Sequence, residues 1–328
     1  MKIFITGATG YVGNNLAKKL AGDGNIIHAL CRDVNTPVLQ HSNIKIFKGD
    51  ITDVDSMDEA MQGCEQVYHL AAYARVWAKD ASTFYRLNVA GAKNVFDAAL
   101  KNNINNIVFT STGGTLGPSG RRPVKEEDRR IGKPFTIYEA TKTQAEELAK
   151  EYCNKYGLRI VTLNPPRIYG PGIITESNAV TRLVKLYMSG KWKIMPGDGK
   201  RTGSYVYIDD IVNGHILAMQ KGRAGERYNL GGVNASYIEF FNLLAQITGG
   251  KHTLIKFPVW TMMFAGNVIE LYSKLTGRPP LLTPPWIRKY YYNWDVDSSK
   301  AQRELGYSFI SLEEGLKKTV EWLKNNPD

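Results

Sequence analysis

Short apolar runs alternate with longer amphipathic stretches along the first half of the chain. A short continuous apolar run is typical of a buried strand, whereas apolar residues three and four positions apart indicate a helix. Six strands are predicted in this way, with the sequences KIFIT, NIIHAL, NIKIF, QVYHLA, NIVFTS and RIVTLN. Helices are predicted between them, most clearly over 10–21, 81–102 and 137–156. The alternation predicts an α/β fold, a doubly wound parallel sheet with helices on both faces.

The alternation ends near residue 170, and helical periodicity then dominates, most clearly over 257–277, 284–293 and 311–325. A chain of 328 residues favours two domains over one. We therefore expect a sheet domain over 1–170, to which 200–230 return, and a smaller, mostly helical substrate-binding domain over 171–199 and 231–328.

The most apolar stretch, FPVWTMMFAGNVI, begins at Phe257. It is too short and too interrupted to span a bilayer, so we expect no stable membrane insertion. A buried helix is the favoured interpretation, and contact with a membrane surface is the weaker alternative.

The chain carries a net charge of +11, from 42 Lys or Arg against 31 Asp or Glu. Such an excess favours anionic partners, for example a phosphorylated cofactor, nucleic acid or an acidic membrane face. The densest charged run, RRPVKEEDRR, mixes both signs and contains no aromatic residue that a base could stack on. We therefore predict a solvated loop there and no nucleic-acid binding.

The three cysteines, Cys31, Cys64 and Cys153, lie far apart and form no CxxC motif. This spacing suits a reducing compartment and argues against a zinc site, and the five scattered histidines suggest no other metal site. The first predicted strand begins at Lys2, which leaves no room for a signal peptide. We expect a soluble, cytoplasmic protein.

A glycine-rich turn, TGATGYVG, places Gly7, Gly10 and Gly13 between the first strand and the first helix. Glycine permits a tight turn and close approach of the backbone to a pyrophosphate, which the helix N-terminus then binds. The sequence therefore predicts a Rossmann-type dinucleotide site. The second strand ends in HALCRD, with Arg32 where a 2′-phosphate would lie and no acid at Cys31, so NADP(H) is favoured. Asp33 could turn towards a ribose, so NAD(H) stays possible.

These features, together with Thr112 and the YEATK segment of Tyr138 and Lys142, resemble the extended short-chain dehydrogenases/reductases of the NAD-dependent epimerase/dehydratase superfamily. The segments KGDITD, HLAA, NPPRIYGPG, SYVYIDDI and DSSKAQRELGY also resemble that family, over nearly the whole chain. The strand ends CRDVNTP and VFTST resemble its dihydroflavonol-reductase-like and 3β-hydroxysteroid-dehydrogenase-like branch. The resemblance implies that the cofactor is contacted by Gly7, Thr9, Gly10, Tyr11, Val12, Gly13, Arg32, Asp50, Ile51, Leu70, Ala71, Ala72, Asn88, Thr110, Tyr138, Lys142, Pro165, Arg167 and Ile168.

The catalytic residues implied by the resemblance are Thr112, Tyr138 and Lys142. Tyr138 would exchange a proton with the oxygen of a carbonyl or secondary alcohol while a hydride moves to or from its carbon. Lys142 lies one helical turn away on the same face, and its charge beside an oxidised nicotinamide would lower the phenol pKa. Thr112 would hold the substrate oxygen.

The resemblance implies a small carbonyl or alcohol substrate, and we expect a hydrophobic one. Candidate contacts are Tyr73, Arg75, Trp77, Gly113 and Arg167. Trp260, Met262, Met263 and Phe264 would form an apolar lid if their helix faced the pocket, and core packing is the alternative.

Two departures from sugar-nucleotide enzymes support an oxidoreductase. Gly113 and Gly114 follow Thr112 where dehydratases carry an acidic pair, and Gly203 replaces an epimerase arginine, although Arg201 is close in sequence. A nucleotide-sugar epimerase with tightly bound NAD(P) remains the alternative, and a non-catalytic NADP(H) sensor is a third. The resemblance also implies a homodimer formed through the helices 81–102 and 137–156.

Overall fold

The computed structural model describes residues 1–250, 252–280 and 282–326, with Glu176 described without its side chain. Lys251, Leu281, Pro327 and Asp328, which fall within the expected second domain, lie outside the described residues. The strands in chain order are β1 Lys2–Thr6, β2 Ile26–Cys31, β3 Ile44–Lys48, β4 Gln66–His69, β5 Asn106–Thr110, β6 Arg159–Asn164, β7 Arg167–Tyr169, β8 Ile194–Pro196, β9 Thr202–Tyr207, β10 Arg227–Asn229, β11 Val233–Ser236 and β12 Ile255–Phe257.

The helices connect these strands and dominate the C-terminal part. In chain order they are α1 Tyr11–Gly22, α2 Asp55–Met61, α3 Ser82–Tyr85, α4 Gly91–Lys101, α5 Ile137–Tyr156, α6 Ala179–Met188, α7 Ile208–Lys221, α8 Tyr237–Thr248, α9 Val259–Thr276, α10 Pro284–Arg288, α11 Ser299–Leu305 and α12 Leu312–Asn325. Short 3₁₀ turns cover Pro37–Leu39, Gly113–Leu116, Glu176–Asn178 and Lys289–Tyr291.

The main sheet has seven parallel strands in the order β10-β6-β5-β4-β1-β2-β3. All six strands predicted from the apolar runs belong to it, which confirms the doubly wound, Rossmann-type α/β fold. Side chains alternate across the sheet, so that Ile3 and Ile5 join the core on one face and Phe4 joins the core on the other. The seventh strand, β10, has only three residues and was not predicted as a strand.

The strand order reverses beside β1, because β2 lies on one side of it and β4 on the other. Ligands of open α/β sheets bind at such a switch point, outside the carboxyl ends of the strands. The structure also contains a three-stranded sheet, β11-β9-β7, and a two-stranded pair, β12-β8.

The helix predicted over 81–102 is interrupted by a π turn at Arg86–Ala90, which separates α3 from α4. Such a turn holds one residue more than an α-helical turn and is frequent at functional sites. The helix predicted over 284–293 is shorter than expected, because α10 ends at Arg288 and a 3₁₀ turn follows. By contrast, α5 begins and ends where the sequence predicted. Thr136 caps its N-terminus by accepting a hydrogen bond from the Glu139 N–H.

The prediction of a buried helix was wrong for α9. Neither a lid over a pocket nor core packing describes Trp260 and Phe264, which are largely exposed on the surface. Met262 and Met263 are half-buried. Within the described part of the chain, no helix has the length and apolarity needed to cross a membrane.

Candidate active site

The glycine-rich turn fits a dinucleotide phosphate. Gly7 has a φ of 75°, in the left-handed region, and a Cβ there would lie 2.6 Å from the Ala71 nitrogen. A Cβ on Gly13 would overlap the Gly7 carbonyl oxygen. Helix α1 begins at Tyr11, with no side-chain cap and no acid in its first turn, so its N-terminal N–H groups can bind an anion. Of the neighbouring predicted contacts, Thr9 is exposed, Val12 is half-buried and the Tyr11 hydroxyl donates to the Gly170 oxygen at 3.0 Å.

A cavity of about 370 Å³ lies at the carboxyl ends of β2 and β3, and Arg32 and Lys48 both line it. The pairing of Cys31 with Lys48 in the sheet brings these two cations together. Asp33, the residue that left NAD(H) possible, accepts a hydrogen bond from the Asn35 N–H at 2.9 Å. Lys48 was not predicted, although its position at the end of the KIFK strand, beside Arg32, was a readable signal.

The other wall of this cavity contains Asp50. One Asp50 carboxylate oxygen accepts hydrogen bonds from the N–H and the hydroxyl of Thr52, both at 2.8 Å. Ile51 is buried, and a Cβ on Gly91 of α4 would lie 2.7 Å from its side chain. The remaining predicted cofactor contacts lie in or directly after the strands from β4 onwards. Leu70, Ala71 and Ala72 come after β4, Thr110 ends β5, Pro165 comes after β6 and Ile168 is in β7.

Thr112, Tyr138 and Lys142 meet beyond the carboxyl end of β5. Thr112 caps the following 3₁₀ turn by accepting a hydrogen bond from the Gly114 N–H at 3.1 Å, and its side chain is also a hydrogen-bond partner of the Tyr138 phenol. Lys142 lies one turn further along α5, where its ammonium donates to the Thr110 carbonyl at 2.7 Å. Gly113, a predicted substrate contact, donates its N–H to the Pro165 carbonyl at 2.8 Å.

Burial sets the ionisation of Tyr138 and Lys142 in the chain without cofactor. Burial raises the pKa of Tyr138 to about 12, and the hydrogen bond from Thr112 offsets this only in part. Burial also lowers the pKa of Lys142 to about 7, because an ammonium loses its hydration there. Lys142 is therefore only partly charged at neutral pH and does not by itself lower the pKa of Tyr138. At pH 7 the chain presents Tyr138 as a phenol, the proton-donating form.

A single carboxylate, Glu146, fixes α5 against the strand ends. It accepts hydrogen bonds from the hydroxyls of Ser111 and Thr115 and from the Asn164 amide, and Arg227 lies 3.5 Å away. These donors come from three separate segments of the chain, so the position of α5 is set by long-range contacts. None of them was predicted from the sequence.

Asn88 lies in the π turn and ties the loop after β4 to α5. Its amide oxygen accepts from the Tyr73 N–H at 2.7 Å, and its amide nitrogen donates to the Thr141 hydroxyl at 3.0 Å. Tyr73 in turn donates its hydroxyl to the Trp77 carbonyl, and the Arg75 guanidinium lies 5.8 Å from the Tyr73 ring centre. The three predicted substrate contacts of this loop therefore brace one another.

Arg167 lies among aromatic side chains. It donates to the Tyr205 hydroxyl at 2.9 Å, and its guanidinium lies 5.1 Å and 5.0 Å from the ring centres of Tyr205 and Tyr237. Among the described residues, no carboxylate is within ion-pairing distance of it. A Cβ on Gly203 would lie 2.5 Å from the guanidinium carbon, so Arg167 occupies the space beside the glycine.

Directly after Tyr138, Glu139 is buried and paired with two cations. Its carboxylate accepts from Arg130 and from Lys289, each at 2.7 Å. The Lys289 ammonium also lies 4.5 Å and 4.4 Å from the ring centres of Trp286 and Trp294. A solvated loop was predicted for the segment that contains Arg130. Only the outer part of this segment agrees with that prediction, since Arg122 pairs with Asp128 near the surface. No sequence signal indicated the Glu139 cluster.

The described residues contain no group of three or more His, Cys, Asp and Glu side chains arranged to hold a metal ion. Two buried histidines, His69 and His215, bond threonine hydroxyls that are distant in sequence. His69 bonds the Thr6 hydroxyl at 2.7 Å, and His215 bonds the Thr110 hydroxyl at 2.9 Å.

Comparison with known proteins agrees with this geometry. The sequence model of the NAD dependent epimerase/dehydratase family matches residues 3–231. A candidate dihydroflavonol 4-reductase from Synechocystis is 30% identical over 98% of this chain and 94% of that protein. The 3β-hydroxysteroid dehydrogenase/decarboxylase isoform 1 of Arabidopsis thaliana is 29% identical over 86% of this chain and 67% of that protein.

Among solved structures, the UDP-glucuronic acid 4-epimerase of Bacillus cereus, in complex with UDP-glucuronic acid and NAD, superposes with a TM-score of 0.79 at 26% identity. The match covers 99% of this chain and 100% of that chain. Other matching proteins are named as reductases, dehydratases and epimerases. The chain therefore belongs to the NAD-dependent epimerase/dehydratase family, among the extended short-chain dehydrogenases/reductases that include proteins like dihydroflavonol reductase and 3β-hydroxysteroid dehydrogenase.

Proposed function

We propose that the protein is an NADP(H)-dependent oxidoreductase, which transfers a hydride between nicotinamide and a carbonyl or secondary alcohol of a hydrophobic small molecule. The observation that carries the proposal is the contact of Thr112 with Tyr138, with Lys142 one turn away, at the sheet edge that the glycine-rich turn also faces. A protein that only senses the cofactor has no need of this arrangement.

When bound, the nicotinamide supplies the hydride that reaches the carbonyl carbon. Tyr138 supplies the proton to the carbonyl oxygen, and with a pKa of about 12 it carries that proton at neutral pH. The Thr112 hydroxyl holds the same oxygen. Alcohol oxidation reverses both transfers and requires the phenolate, which a positive charge beside Tyr138 stabilises.

The Arg32–Lys48 cavity supports NADP(H) over NAD(H). Two cations at the ends of neighbouring strands suit a phosphate on the ribose 2′ position, and Asp33 is used in a local turn. Asp50 and Asp53 also line the cavity, and each accepts a hydrogen bond from a backbone N–H two residues later. Six of the matching solved structures contain NAD, so the choice of NADP(H) rests on Arg32 and Lys48 alone.

On the substrate side, we propose that Arg167 contacts a polar or anionic group of the substrate. The Arg167 guanidinium is half-buried, and without a carboxylate partner this is costly unless a ligand or water completes its hydrogen bonds. Tyr205 and Tyr237 leave the rest of that surface aromatic, which suits an apolar body more than a sugar. The braced loop of Tyr73 would form its rim.

Tyr138→Phe tests the reaction. We expect NADPH oxidation with a panel of ketones, steroids and 3-oxo acids to fall by at least about a hundredfold, since general acid catalysis contributes that much. Tyr156→Phe is the matched control, because Tyr156 is exposed at the end of the same helix. If no carbonyl compound is reduced and Tyr138→Phe changes nothing, the proposed reaction is wrong.

The second candidate, a nucleotide-sugar epimerase, is favoured by one observation. The Arg167 guanidinium fills the space beside Gly203, so a cation is present where the sequence had indicated none. Cofactor that remains bound through gel filtration, together with interconversion of a UDP- or dTDP-sugar, would establish this candidate in place of the reductase.

A further inference from the structure

Helix α9 presents a continuous apolar stripe on the surface. Trp260, Phe264, Val268, Leu271 and Leu275 recur at helical spacing along one face, and each is between 54% and 79% exposed. The stripe continues onto the neighbouring strand pair, where Ile255 and Phe257 are also exposed. A contiguous patch of large apolar side chains on a helix is characteristic of an interaction surface.

The orientation of α9 is the reverse of that of an ordinary surface helix. Its inward face buries Val259, Gly266 and Ser273, with Met262 and Met263 half-buried, and a Cβ on Gly266 would overlap Ile287 of α10. A helix in water turns its large apolar residues inwards. Here the close approach to α10 uses the glycine and leaves Trp260 and Phe264 outside.

The charges around the stripe are almost all positive. Residues 255–288 contain four basic side chains, Lys256, Lys274, Arg278 and Arg288, and all four are exposed. The single acid in this segment, Glu270, is paired with Lys274 at 3.1 Å. Two copies of this face would bring like charges together, whereas an anionic surface complements them.

We propose that α9 docks the protein on an anionic lipid surface. The helix lies in the plane of the interface, with Trp260, Phe264 and Leu271 among the acyl chains, while Lys256 and Arg278 contact the headgroups. Interfacial helices have an apolar face with basic residues beside it, and they do not cross the membrane.

The docked face adjoins the substrate side of the site. Helix α9 packs on α10, and Lys289, the next residue of the chain, pairs with Glu139 beside Tyr138. A lipid-like substrate would therefore reach the site from the membrane side. The docking itself depends on the stripe and its charges and not on the reaction at Tyr138.

Vesicle co-sedimentation tests the proposal with the full chain. We expect the protein to pellet with vesicles of phosphatidylcholine and phosphatidylglycerol and to pellet less with phosphatidylcholine alone. The double variant Phe264→Glu/Leu271→Glu should lower the partition coefficient by about tenfold or more, because two buried apolar contacts are lost. Ile131→Glu is the matched control, since Ile131 is an equally exposed apolar residue in the loop before α5.

Lys256→Ala/Arg278→Ala provides a second variant that leaves the apolar stripe intact. It should also weaken binding, and raising the NaCl concentration from about 0.1 M to about 1 M should do the same, because charge attraction is then screened. Thermal melting verifies that each variant is folded. The proposal is overturned if the unaltered protein stays in the supernatant, or if both variants pellet as it does. It is also overturned if light scattering shows that the stripe mediates self-association without vesicle binding.

Discussion

Removing Arg32 and Lys48 tests the cofactor preference most directly. Both side chains line the 370 Å³ cavity, and both are exposed at its rim. A hydrogen bond between charged groups contributes about 1.5–3 kcal/mol, and solvent exposure places these two at the lower end. At about 1.4 kcal/mol for each factor of ten, Arg32→Ala or Lys48→Ala should raise the Kd for NADPH about tenfold.

The double variant should approach about a hundredfold, or less if the two cations share one phosphate oxygen, because neighbouring contacts are not additive. The Kd for NADH should remain within about twofold, since NADH has no 2′-phosphate. Titration of the cofactor fluorescence measures both constants. Lys45→Ala is the control, because Lys45 is an exposed lysine on the same strand that does not line the cavity.

The comparison between the two cofactors is what makes this test decisive. An equal loss of NADH and NADPH binding would show that Arg32 and Lys48 act on a part common to both molecules. An unchanged Kd for NADPH would refute the assignment of the phosphate to this cavity altogether. The NADPH preference of the unaltered protein should also shrink as salt is raised, because exposed charges are screened.

Two further perturbations test the interior of the site. Lys142 has a folded pKa of about 7, below its usual value, so the unfolded chain binds more protons above pH 7 and stability should rise between about pH 7 and pH 9. Thermal melting across that range should show the rise, and Lys142→Met should remove it. Glu139→Ala leaves Arg130 and Lys289 unpaired and should destabilise the fold by about 3–5 kcal/mol. Denaturant unfolding measures this loss, and the exposed Glu147→Ala should cost less than about 0.5 kcal/mol. Equal effects of the two Glu substitutions would contradict the role given to the buried pairs.

Local pattern was sufficient for most of the sheet. The inner strands are nearly continuous apolar runs, because a parallel strand covered on both faces buries almost every side chain, whereas β3 at the sheet edge exposes Lys45. The three residues of β10 are too few to show such a pattern, and their place in the sheet is decided by pairing with β6. Similarly, the boundaries of α5 were predictable since Thr136 and Gly157 are local cap signals.

The site was predictable only where one short segment determines the geometry. The spacing of Tyr138 and Lys142 places them on one face of α5, and their roles in catalysis stay a prediction. The pKa of Tyr138 depends on burial by distant segments, which no spacing reveals. The ion pair of Glu139 with Lys289 joins residues 150 positions apart in the chain. Arg167 of β7 donates a hydrogen bond to Tyr205 of the neighbouring strand β9. Such contacts exist only after the chain has folded.

The π turn at Arg86–Ala90 constrains how this gene can change in length. Loss of one codon there would let the turn relax into a regular α-helix, and every side chain before it would rotate by about 100° relative to α4. Phe84 would leave its place against Tyr73, and Asn88 would no longer bridge Tyr73 and Thr141. We therefore expect point substitutions to be tolerated across this helix far more readily than a single-residue deletion.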